Sequence, residues 1–206
     1  MKRTCLSQIC LALLLLAACC SLTTSRLAAE ELSAEEKAAG FTPMFNGKDF
    51  TGWRFSGDLE APNWEVTNGV IHLSGGGKPH LVTVDEYGDF EMRFEWRSVG
   101  AKGYNSGFYI RTPANAGKNQ LNLAKGNEGA IVGGKIEGAK GVGSLQKPAG
   151  EWNTWRVVVA GDKVEFYCNG ELAWTGTGLQ PEKGHIGFQA EGAAMEFRNL
   201  RIRKIQ

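Results

Sequence analysis

Phe90-Glu-Met-Arg-Phe-Glu-Trp-Arg97 is the run whose reading decides the fold class. Phe90, Met92, Phe94 and Trp96 alternate strictly with Glu91, Arg93, Glu95 and Arg97. A period of two sends successive side chains to opposite faces of a strand, so the apolar set faces a core and the charged set faces outward. The same alternation, in short runs bounded by glycine or Asn-Gly, predicts further strands over 64–66, 70–73, 107–112, 120–124, 130–132, 154–160, 163–168, 172–175, 185–189 and 195–202. Asn68-Gly69 and Asn169-Gly170 read as two-residue hairpin turns, since a type I′ turn needs positive φ at both centres. Ser33-Ala-Glu-Glu36 has capping-box spacing and predicts one short helix ending at Gly40. Many short antiparallel strands with no long helix predict an all-β protein, a two-sheet antiparallel β-sandwich. The 28 glycines, about twice the usual frequency, suit a fold of many tight turns. Their densest stretch, 126–150, is expected to form a long loop pair over one end of the sandwich or over its groove.

The first residues read as an address. Met1-Lys-Arg3 is followed by an apolar run over 9–18 that is too short to span a bilayer, the layout of a secretory signal peptide. Leu16-Ala-Ala-Cys19 has the form of a lipobox with Cys19 as the lipid attachment, and cleavage after Ala29 is the alternative. The expected division is a signal over 1–18, a linker and short helix over 19–40, and one β-sandwich domain over 41–206. The expected location is extracytoplasmic: secreted, periplasmic or membrane-anchored as a lipoprotein. Without Lys2 and Arg3, 21 basic residues face 22 acidic ones, which leaves no electrostatic case for nucleic acid. Only Cys168 of the five cysteines lies inside the domain, so no internal disulfide framework is expected.

Several motif matches fail on context. Gly129-Ala-Ile-Val-Gly-Gly-Lys135 approaches a phosphate-binding loop, but Ile136 stands where a hydroxyl must reach magnesium and no amphipathic helix follows. His72, His80 and His185 have neither HExxH spacing nor cysteine partners, so zinc has weak support. Ser74 and Ser106 lack a nucleophile-elbow sequence.

Strand parity supplies the chemical candidates. If Phe108 and Ile110 face the core, Asn105, Tyr109 and Arg111 face outward; Leu121 and Leu123 inward leave Gln120 and Asn122 outward; Ile186 and Phe188 inward leave His185 and Gln189 outward. Were these strands to share one sheet with the polar side of 90–97, a groove would combine a carboxylate, a guanidinium, amides and a ring. Sugars are held by such mixtures, planar polar groups pairing with hydroxyls while rings cover apolar sugar faces. The plainer reading of Glu95, Arg97, Arg93 and Arg198 is charges paired across strands. Trp53, Trp64, Trp96 and Trp155 read more simply as core, and Cys168 as a small buried hydrophobe.

Three separated runs carry a family resemblance: Gly40-Phe-Thr-Pro-Met-Phe-Asn-Gly-Lys-Asp-Phe-Thr-Gly-Trp53, Lys147-Pro-Ala-Gly-Glu-Trp-Asn-Thr-Trp-Arg156, and Gly184-His-Ile-Gly-Phe-Gln189 leading into Met195-Glu-Phe-Arg-Asn-Leu-Arg-Ile202. In order and spacing the chain resembles the 3-keto-disaccharide hydrolase domain family over about 41–205. The resemblance implies a concanavalin A-like lectin/glucanase sandwich of jelly-roll type with a carbohydrate groove. It also implies a chemistry: a keto group at C3 acidifies the C2 proton, a base removes it, the C1 aglycone departs and water adds back. On that implication Glu95 would be the catalytic acid/base and Arg111 the electrostatic stabiliser, with Asn105, Tyr109, Gln120, Asn122, His185 and Gln189 binding substrate. No cofactor is evident; a divalent cation could share the guanidinium's work, although no ligand cluster is readable. Where many members carry Glu-x-Gln this chain has Gln120-Leu-Asn122, and where they show Asp-His-Gly it has Ala190-Glu-Gly192. An amide cannot act as a base, and a carboxylate does not reproduce imidazole chemistry near neutral pH. Three readings therefore stand: a hydrolase of 3-keto-disaccharides or related glycosides, a non-catalytic carbohydrate-binding module, and an envelope interaction domain. The only membrane contact expected is through the lipid anchor.

Overall fold

The computed structural model describes residues 31–100 and 103–205; the signal run, the lipobox and Cys19 lie outside them. In chain order the elements are α1 (Ala34–Ala38), β1 (Thr42–Pro43), β2 (Trp53–Phe55), β3 (Trp64–Thr67), β4 (Val70–Leu73), β5 (Leu81–Thr83), β6 (Phe90–Ser98), β7 (Gly107–Thr112), β8 (Gln120–Asn122), β9 (Ile131–Val132), β10 (Asn153–Ala160), β11 (Lys163–Cys168), β12 (Glu171–Gly176), β13 (His185–Phe188) and β14 (Met195–Lys204). They form two antiparallel sheets. The larger has eight strands in the order β12-β11-β10-β6-β14-β4-β3, with β1 on β14; the smaller has six, β2-β5-β13-β7-β8-β9.

The alternation on β6 does what its sequence predicts. Phe90, Met92, Phe94 and Trp96 are fully buried between the sheets. Phe94 meets Phe108 at 4.7 Å and Phe188 at 5.3 Å, both from the smaller sheet, and Trp155 at 5.8 Å from its own. Rings at such separations add to what burial contributes. Both Asn-Gly turns have positive φ at each centre, and Ser33 and Glu36 close the capping box. The four candidate core tryptophans and Cys168 are buried, and burial pushes the Cys168 thiol up to about 11.

Three strands carry no readable pattern. β5 is buried at every position, so it shows no alternation, and β1 and β2 have only two and three residues. The glycine-rich stretch closes a flank of the core. Ile136 and Val142 are buried in it, and Gly129 lies so close to the Phe166 ring that an added Cβ would come within 2.4 Å.

The outward face of the larger sheet is a charge ladder. Glu91 is fully buried there and accepts from Arg93 Nε (2.9 Å), Arg156 Nε (2.6 Å) and Arg203 Nε and Nη2 (3.0 and 2.6 Å). Burial alone would raise its carboxyl; the three guanidiniums overcome that and hold it at about 2. Arg93 and Arg203 also cover the Phe41 ring, at 4.4 and 5.4 Å. The helix α1 docks on this face through Glu36, which pairs with Arg201 at 2.9 Å and Arg93 at 3.7 Å.

Candidate functional site

Two outward faces look away from each other across a core layer about 10 Å thick, and the candidate residues divide between them. Glu95 belongs to β6 in the larger sheet, where it accepts from Arg198 Nε at 2.8 Å and Asn199 Nδ2 at 3.0 Å. The expectation that it shares a groove with Tyr109 and Gln189 is therefore corrected. Parity placed its side chain outward, but only the long-range pairing of β6 with β10 and β14 decides which outward face that is.

Arg111 is in the smaller sheet, yet its role is also corrected. Its side chain is 1% exposed. Nε donates to Gly88 O (2.9 Å), Nη1 to Gly161 O (2.8 Å) and Pro181 O (3.2 Å), and Nη2 to Asp89 (2.7 Å). A fork whose donors are taken by three loops is a clamp for those loops and offers little to an enolate. His185 lies at the same end, with Nδ1 donating to Thr83 O at 2.9 Å and Nε2 3.9 Å from Glu86. Neither belongs with the remaining candidates.

Those remaining converge on the outward face of the smaller sheet. Register sets Tyr109 opposite Gly187 on one side and Gln120 on the other, and Gly107 opposite Asn122. Gln189 donates its backbone N–H to Gly107 O at 2.8 Å, which brings its side chain into the Gly107 row. Gly107 is glycine for a spatial reason: an added Cβ would sit 2.2 Å from the Gln120 amide, which crosses it to donate to Gln189 Oε1 at 3.0 Å and Ser106 O at 3.3 Å. Asn105 and Gly192 line an adjoining open depression of about 600 Å³ with Tyr104 and Lys125.

Two members of this face escaped candidacy in the sequence. Pairing of Phe188 with Leu81 brings His80 next to Gln189, where its ring lies 5.6 Å from Tyr109 and its Nδ1 accepts the Ala190 N–H at 3.1 Å. Burial, then the charge of Lys78, pushes its pKa below the ordinary histidine value. Glu191 follows in the same segment. Tyr109 is pushed up to about 12, by burial first and then by the Glu191 charge. The motif search weighed His80 only as a zinc ligand, and no pattern in the sequence joins it to Tyr109. Glu191 stood out only as a departure.

The arrangement offers one carboxylate, a neutral imidazole, a phenol and a mutually bonded amide pair around a floor of two glycines. Among the described residues the hydroxyl of Tyr109, Nε2 of His80 and the amide of Asn122 have no protein partner. Also among these residues, no three His, Cys, Asp or Glu side chains group as a metal site.

A family profile described as a 3-keto-alpha-glucoside-1,2-lyase-like domain matches residues 40–203. A 3-keto-disaccharide hydrolase of Bacteroides thetaiotaomicron is 25% identical over 231 aligned positions, covering 81% of this chain and 79% of that protein. The solved structure of a candidate glycosyl hydrolase from Parabacteroides distasonis superposes with a TM-score of 0.69 at 26% identity, over 86% of this chain and 100% of the other. The β-glucanase of Bacillus licheniformis shares the fold, with a TM-score of 0.55 at 16% identity over 81% and 99%. The sandwich is thus of the concanavalin A-like glucanase kind.

Proposed function

The chain belongs to the 3-keto-alpha-glucoside-1,2-lyase-like domain family, and from that membership we propose that it hydrolyses 3-keto-disaccharides on the outward face of its smaller sheet. The observation that carries this reading is the convergence of Tyr109, Gln120, Asn122 and Gln189 on one face by strand register, with the His80 ring 5.6 Å from Tyr109 and the Glu191 charge acting on the Tyr109 phenol. Glu191, not Glu95, is the acid/base. Its carboxylate takes the C2 proton, and the C2–H electron pair moves toward C3. Collapse of the enolate expels the C1 oxygen, which takes the proton back from Glu191 and leaves as an alcohol. Water then adds across C1 and C2, its hydroxyl to C1 and its proton to C2, for net hydrolysis. Gln120, Gln189, Asn105 and Asn122 hold sugar hydroxyls.

A second reading, a carbohydrate-binding module without turnover, is favoured by the Gln120–Gln189 pair, since amides bind hydroxyls and do not titrate. Incubation of purified protein with 3-keto-trehalose and with trehalose separates the two. Release of free glucose from the keto sugar alone is the expected result. Saturable binding of either sugar with no product would leave the binding module standing in place of the hydrolase.

A further inference from the structure

We propose that His80 is a catalytic hydrogen-bond donor whose Nε2–H meets the C3 carbonyl oxygen of the keto sugar. The proposal rests on the hydrolase reading above and assigns the group that carries the charge developing there.

The other ring nitrogen fixes the tautomer. A backbone N–H can only donate, so the Ala190 N–H makes His80 Nδ1 an acceptor and leaves it without a proton. A neutral imidazole must then hold its proton on Nε2. Burial and the nearby Lys78 charge both work against a second proton, which keeps the ring neutral. The residue is 7% exposed, and its backbone is held on both sides: its N–H donates to Ser56 Oγ at 2.9 Å and its carbonyl accepts the Ser56 N–H at 2.9 Å. The ring is braced against Tyr109, tilted by 52° at 5.6 Å. A donor fixed in tautomer and orientation before substrate arrives needs no reorganisation when the charge appears.

In the step proposed, the C2–H bond breaks and its proton passes to Glu191. The electron pair forms C2=C3, and the carbonyl π pair moves onto the C3 oxygen. Nε2–H donates a hydrogen bond to that oxygen and keeps its proton. Neutral imidazole acts this way beside a carboxylate base in triosephosphate isomerase, where it polarises a carbonyl without protonating it. A purely structural His80 would need Nδ1 alone, to satisfy the Ala190 N–H. Nothing in that duty uses Nε2, which has no protein partner among the described residues.

The two nitrogens can be tested apart. Asparagine places an acceptor where Nδ1 sits and nothing at Nε2; glutamine places an N–H near Nε2 and gives up the Nδ1 acceptor. With 3-keto-trehalose, His80→Asn is expected to lose about 10²- to 10³-fold in kcat, as loss of one such donor does, with KM little changed. His80→Gln is expected to retain more activity than His80→Asn. Exchange of the C2 hydrogen in deuterated water should fall in step with kcat. In wild-type protein, ¹⁵N spectra should show His80 as the neutral Nε2–H tautomer. Full activity in His80→Asn, or a wild-type ring protonated on Nδ1, overturns the assignment while leaving the hydrolase reading intact. A wild-type protein that neither exchanges C2–H nor releases product overturns both. Should a variant fail to fold, the wild-type His80 Nε2 resonance decides: it should shift when 3-keto-trehalose is added, and an unmoved resonance at saturating sugar overturns the assignment.

Discussion

Glu191 and Arg111 are both charged and both belong to the smaller sheet's surroundings, yet they call for opposite outcomes when altered. Glu191→Gln keeps volume and loses proton transfer, so turnover of 3-keto-trehalose should fall by about 10²- to 10⁴-fold while equilibrium binding of the sugar changes little; kcat beside a calorimetric Kd checks this. Arg111→Lys cannot reproduce a planar fork that reaches Gly88, Gly161, Pro181 and Asp89 at once. Its expected cost is stability, on the order of 2 kcal/mol of unfolding free energy read from urea transitions, with kcat close to wild type in protein that remains folded. The contrast shows what was legible residue by residue. That Tyr109, Gln120 and Gln189 share an outward face was legible, because parity against Phe108, Leu121 and Phe188 settles which way a side chain points. Arg111 pointed outward by the same logic, but whether a guanidinium is free depends on loops 22 to 70 residues away, and no local pattern reports them. His80 sits at the mouth of a strand buried at every position, so periodicity was silent there.

At the level of strands, sheet membership was the missing fact. Alternation on β6 fixed the burial of Phe94 and the outward direction of Glu95, and it could not say which partners β6 would choose. The floor of the site is likewise a product of pairing. In Gly107→Ala the added Cβ would lie 2.2 to 2.3 Å from Gln120 Nε2, Cδ and Cγ, so the whole Gln120 side chain must swing aside and the Gln120–Gln189 bond must break. Affinity of the folded variant for 3-keto-trehalose is expected to drop roughly tenfold, about one net hydrogen bond, as calorimetric titration would show. On the opposite sheet, Glu91 ties β6, β10 and β14 together by charge. Its folded pKa of about 2 lies below the unfolded 4.5, so its contribution is present above about pH 4.5 and is lost as pH falls through about 2. That amounts to roughly 3 kcal/mol. Urea midpoints between pH 6 and 2 should decline less steeply in Glu91→Gln than in the wild-type protein.

For the molecule as a whole, the two sheets divide the labour. The eight-stranded sheet carries the arginine ladder and receives α1 through Glu36, while the six-stranded sheet carries the candidate site. The lipobox reading adds a prediction at this scale: Cys19→Ala should abolish metabolic lipid labelling and release the protein from the membrane fraction, and unchanged labelling would exclude it. Glu31 and Leu32 lie beside Pro43, Asn199 and Arg201, on the side of β1 and β14. Glu31 and Leu32 therefore lie behind the larger sheet, with the core between them and Tyr109. A protein held by that leading segment would stand like a dish on a stalk, its sugar-facing side turned to the bulk medium. Small diffusing disaccharides could then reach it unobstructed, and the supporting surface would meet a face whose arginines are engaged by Glu36, Glu91, Glu95 and Glu196 and by the rings of Phe41, Trp152 and Tyr167.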